Sequence, residues 1–113
     1  MKLYVDDLRK EPPGWVRAKT VTEAIRILAT QNVREISLDH DIATECCGCV
    51  RSSWETFEPV AWFLSLQYRY GDWRPKVTLH TANPVGAKKM AEILADAGIK
   101  AEIRLGMPVN GLE

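Results

Sequence analysis

Asp6 and Asp7 stand side by side at the end of the first apolar run, Leu3-Tyr4-Val5. The second run, Ile36-Ser37-Leu38, ends in Asp39-His40-Asp41. The third, Val77-Thr78-Leu79, ends in His80 and is followed by Thr81-Ala82-Asn83-Pro84. Carboxylates are hard oxygen donors, which Mg²⁺ and Mn²⁺ accept beside water and phosphate. Imidazoles give and take protons near neutral pH. Brought together, such groups make a small acidic site suited to a divalent metal or to acid–base work on a phosphate ester. Asp6, Asp7, Asp39 and Asp41 are the candidate metal ligands. His40, His80 and Asp39 are the candidate catalytic groups, the histidines acting as acid and base or as a clamp on phosphate. Without a cation, crowded carboxylates repel, and at least one must titrate high. The plainer alternative is a set of loop aspartates bonded to backbone amides and strand-end histidines that are simply satisfied.

Substrate contacts have their own candidates. Arg9 follows Asp7 closely enough to neutralise a phosphate, and Lys19 is a second cation in a nearby loop. Thr81, Asn83 and Gly86 flank a helix start, where backbone N–H groups receive anions. Asn83 is equally explained as a cap. Cys46, Cys47 and Cys49 offer soft ligands, but the second pair of a zinc site is missing. Free or partly buried thiols are the simpler reading. Trp15, Trp54, Trp62 and Trp73 include candidate base-stacking rings, although half-buried core or rim positions suit tryptophan as well.

These residues need elements to position them. Leu3–Val5, Glu35–Leu38, Val77–Leu79 and Lys100–Leu105 read as strands, with Trp15-Val16 as a short extended piece. Thr20 with Glu23 forms a capping box, and Val21, Ala24, Ile25 and Leu28 share a helical face ending about Thr30. A second helix is expected over Thr56–Tyr68, with Pro59 in its first turn. The third has Asn83 as cap, Pro84 at its first position and Gly98 at its left-handed end. Between Asp41 and Glu55 no period is visible, and a loop this long is often functional. The order is βαβαβαβ, which predicts an α/β fold: a small three-layer sandwich with a four-stranded parallel sheet between helices and strand C-termini on one side. The last strand alternates apolar and charged residues, as an edge strand does.

A chain of 113 residues is expected to be a single domain with its core over about residues 3–105. Fifteen Lys and Arg balance fifteen Asp and Glu. That neutrality argues against gripping extended DNA, whose affinity comes from many phosphate contacts, but not against one small phosphorylated ligand or one RNA terminus. It also favours self-association, so a homodimer is compatible. No run reaches the length of a membrane span, and the first residues show no signal-peptide pattern. With three clustered cysteines and no disulfide framework, a cytoplasmic setting is expected.

Taken in order, Leu3-Tyr4-Val5-Asp6-Asp7-Leu8-Arg9, Pro13-Gly14-Trp15, Ile36-Ser37-Leu38-Asp39-His40-Asp41 and His80-Thr81-Ala82-Asn83-Pro84-Val85-Gly86 resemble the cyclic-phosphate processing receiver-like domains. The resemblance spans about residues 3–97. It implies a reduced receiver fold and a role with cyclic or nucleotide-derived phosphates, in RNA-related settings or phage–bacterium conflict. It carries over Asp6, Asp7, Asp39, His40, Asp41, His80 and Asn83. In ordinary receivers the counterpart of the acidic pair holds Mg²⁺. Near Leu105-Gly106 the receiver lysine is missing, and His40 and His80 are additions, so a plain phospho-switch is disfavoured. Two functions stay open: a metal-assisted phosphoesterase, and a non-catalytic receiver-like interaction or signalling module.

Overall fold

The computed structural model of the chain describes residues 1–40, 56–81 and 83–105, and only the backbone of Leu105. Asp41, the three cysteines and Trp54 lie outside the described residues. In chain order the elements are β1 (Lys2–Val5), β2 (Val16–Ala18), α1 (Val21–Thr30), β3 (Glu35–Leu38), α2 (Glu58–Tyr70), β4 (Lys76–Thr81), α3 (Pro84–Asp96) and β5 (Glu102–Leu105). All strands pair in parallel, in the order β2-β1-β3-β4-β5.

The α/β class and the parallel sheet are as the sequence predicts, with two differences. Among the described residues the sheet has five strands rather than four, because Val16–Ala18 pairs along Leu3–Val5. Three residues are too few to show a period; the pairing comes from the neighbour, helped by Arg17, whose guanidinium donates to the carbonyls of Asp6 and Asp7 at 3.1 Å each. The second difference is the layering. From β2 to β3, β3 to β4 and β4 to β5 the chain steps the same way across the sheet, so right-handed crossovers lay all three helices on one face. The return from β1 to β2 carries no helix. Among the described residues the sandwich therefore has two layers rather than three.

The strand residues obey this arrangement. Leu3 and Val5, Ile36 and Leu38, Val77 and Leu79 point to the helices and join Leu28, Phe57, Val60, Leu64, Met90 and Leu94 in one core. Their alternates, Tyr4, Ser37, Thr78 and His80, lie on the other face, as register and period require. Asp6 and Asp39 continue that second set past the strand ends.

The helix ends follow their signals. Thr20 Oγ1 accepts the Glu23 N–H at 3.0 Å, but Glu23 returns its carboxylate to Lys19 N–H at 2.8 Å, one residue before the usual partner. Asn83 Oδ1 accepts the Gly86 N–H at 3.1 Å, and Gly98 sits at φ +94°. α2 starts two residues later than expected, since Thr56 spends its hydroxyl on the Glu58 N–H (3.1 Å) and Pro59 fills the first turn.

Candidate acidic site

At the C-terminal edge of the sheet, β1 ends in Asp6-Asp7 and its neighbour β3 in Asp39. One carboxylate oxygen from each of Asp6, Asp7 and Asp39 lies within 4.8 Å of the others. Three of the four predicted ligands thus converge. The fourth, Asp41, lies outside the described residues.

Each member is held in place. Asp6 is only 1% exposed. Its Oδ1 accepts the backbone N–H groups of Leu8 and Arg9, both at 2.8 Å, and its Oδ2 lies 2.9 Å from His80 Nε2. Burial works to raise this carboxyl's pKa. The His80 contact and the two amides outweigh it and hold the group below its ordinary value. Asp39 is the opposite case. Burial first, and then the negative charge of Asp6, push it up to about 6, against the His40 amide, His80 and Arg9. Loss of water around the carboxylate is the larger cause, and the like charge beside it adds to this.

His80 is not past the strand, as its sequence position suggests, but inside it, because β4 runs on to Thr81. Its second nitrogen, Nδ1, lies 2.6 Å from Ser37 Oγ, and its ring stacks on Tyr4 with centroids 4.4 Å apart and planes 5° off parallel. The imidazole therefore spans β1, β3 and β4, with both nitrogens held by protein groups. Burial, followed by the Asp6 charge, raises the Tyr4 phenol above its ordinary pKa.

His40 faces the helices instead. Its Nε2 lies 2.8 Å from Glu58 Oε2, and Lys89 Nζ reaches the other Glu58 oxygen at 3.5 Å. The ring presses on the first turn of α3, where a Cβ added at Gly86 would fall 2.3 Å from His40 Nδ1. The His40 N–H donates to Asp39 Oδ1 at 2.8 Å, and its carbonyl accepts the Phe57 N–H at 2.8 Å. The two histidines thus serve different parts of the edge.

The predicted substrate contacts divide in the same way. Arg9 is half-buried, and its charge acts on Asp39 and Tyr4. Thr81 is buried, and its Oγ1 accepts the Asn83 N–H at 3.1 Å. The Gly86 N–H, a candidate anion donor, is taken by the Asn83 cap. Sequence reasoning missed Tyr4, Arg17, Ser37 and Glu58 as supports. Ser37 and Tyr4 carry a signal in retrospect: each lies two residues before a site aspartate and so shares its sheet face.

The donor set suits a small hard cation: three carboxylates, no sulfur, and one member whose charged form burial disfavours. A groove of about 440 Å³ beside α3, floored by Ala87, Ala91, Ala95 and Ile103, shares no residue with this set. No helix among the described residues is long and apolar enough to cross a membrane. No curated protein matches the chain. The family model described as the cyclic-phosphate processing receiver domain matches residues 1–96. That match takes in every strand and helix except β5, together with the whole carboxylate edge, and the chain belongs to the cyclic-phosphate processing receiver domain family.

Proposed function

We propose that the edge formed by Asp6, Asp7 and Asp39 binds Mg²⁺ or Mn²⁺ and hydrolyses a cyclic phosphate on a nucleotide or an RNA terminus. The observation that carries this reading is the meeting of three carboxylates, one of them raised to a pKa of about 6. When bound, the cation supplies charge neutralisation and Lewis-acid polarisation of a phosphoryl oxygen. Asp6, Asp7 and Asp39 would hold it, with Asp41 a further ligand candidate. Arg9, beside Asp39, meets a phosphate oxygen. Thr81 and Asn83 shape the turn that borders the substrate. His80 acts as a positioning residue, because its ring nitrogens are spent on Asp6 and Ser37. His40, whose ring is oriented by Glu58, is the remaining candidate for a proton carrier.

The test is a screen of 2′,3′- and 3′,5′-cyclic nucleotides with Mg²⁺ and Mn²⁺. Turnover that disappears in both Asp39→Asn and His40→Asn is expected. No turnover by pure protein, together with no metal binding at millimolar concentration, sinks the reading.

One observation favours a second reading, a binding or signalling module without catalysis, including one used in phage–bacterium conflict. The hydrogen bonds of His80 tie three strands together as a structural support would. A stable protein partner that survives Asp39→Ala and His80→Ala would decide for it.

A further inference from the structure

α2 presents a row of large apolar side chains to solvent. Trp62 is 55% exposed, Leu66 53% and Tyr70 81%. They recur every fourth residue, opposite the buried Val60, Ala61, Leu64 and Ser65. Successive members are about 6 Å apart along the axis. The row reads the same in both directions: a leucine with an aromatic ring on either side.

We propose that this row is the contact between two copies of the chain, packed antiparallel about a two-fold axis through Leu66. A two-fold contact needs a patch complementary to itself. Here Leu66 meets its own counterpart, and Trp62 of one copy meets Tyr70 of the other, twice over. Charge permits it as well. Glu58 is paired with His40 and Lys89, Arg69 with Asp96, and Arg74 with backbone carbonyls, so covering the row strands neither charge of α2 itself. The chain's net charge of zero leaves no long-range repulsion between copies.

The area fits a modest dimer. The three side chains expose on the order of 400 Å² per copy. Two copies with a rim that includes Pro59 and Gln67 approach roughly 1,200 Å², the lower end for stable complexes. Micromolar association is therefore expected rather than an obligate pair.

The test reads association and needs no metal or substrate. By sedimentation equilibrium the intact chain should be a reversible dimer, and Leu66→Glu should weaken it at least tenfold with unchanged circular dichroism, since the side chain is exposed. In a background with Cys46, Cys47 and Cys49 changed to Ser, oxidised Leu66→Cys should form a covalent dimer. Trp62→Cys mixed with Tyr70→Cys should link, whereas neither should link alone. A monomer at high micromolar concentration overturns the proposal and leaves the row to another kind of partner. A dimer that ignores Leu66→Glu, or that Leu66→Cys cannot link, also overturns it. The acidic site could fail its own tests without affecting any of these results.

Discussion

Folding carries Asp39 into surroundings that resist its charge. Its pKa rises from an ordinary 3.8 to about 6, so the native chain holds this proton more tightly than the unfolded chain does. The stability it contributes is fully present below the ordinary value and is lost as pH rises through about 6. Asp6 has the opposite sign: its pKa is lowered, so its contribution is present above the ordinary value and lost as pH falls through the native one. Asp39→Asn should therefore stabilise the metal-free protein above neutral pH, by about 1–2 kcal/mol once solvent screening is allowed for. Urea denaturation checks this, and added Mn²⁺ should protect the parent but not the variant. Mn²⁺ affinity should climb up to tenfold per pH unit below about 6 and then level off, as titration calorimetry across pH would show. His80→Ala removes a partner from a carboxylate that is 1% exposed, and should cost roughly 2–4 kcal/mol in the same urea assay.

At the scale of elements, the start of α3 is fixed by two demands on one residue. Alanine normally favours a helix over glycine by about 1 kcal/mol. At Gly86 the added methyl would overlap the His40 ring, 2.3 Å from Nδ1. Gly86→Ala should therefore destabilise by about 1–3 kcal/mol, the usual cost of overpacking, and weaken Mn²⁺ binding through Asp39, which the His40 amide holds. A gain in melting temperature would refute this. Thr20→Ala should cost about 1 kcal/mol at the start of α1 without touching Mn²⁺ binding. Much of this layer is legible in the sequence, because caps, proline and glycine act within a few residues. Thr20, Asn83, Pro84 and Gly98 all stand where their chemistry places them. β2 was harder to read, since three residues owe their strand to β1. The supports of the site were hidden for the same reason: Ser37 and His80 are 43 positions apart, and Glu58 is 18 from His40. The carboxylates sit at strand ends and are found from local pattern, but what holds them depends on register.

Across the whole molecule, one topological choice explains both faces. Crossovers in a single direction put the helices on one side of the sheet and bring Asp6, Asp7 and Asp39 to the C-terminal edge of adjacent strands. The same choice leaves α2 with its outer row uncovered by any described element. The claim on which the functional account rests is that these three carboxylates close around a single cation. Anomalous diffraction from a crystal soaked in millimolar Mn²⁺ tests it most directly. The account predicts one strong peak within coordination distance of an oxygen from each of Asp6, Asp7 and Asp39. A peak elsewhere, or no peak while the carboxylates keep their places, would contradict it.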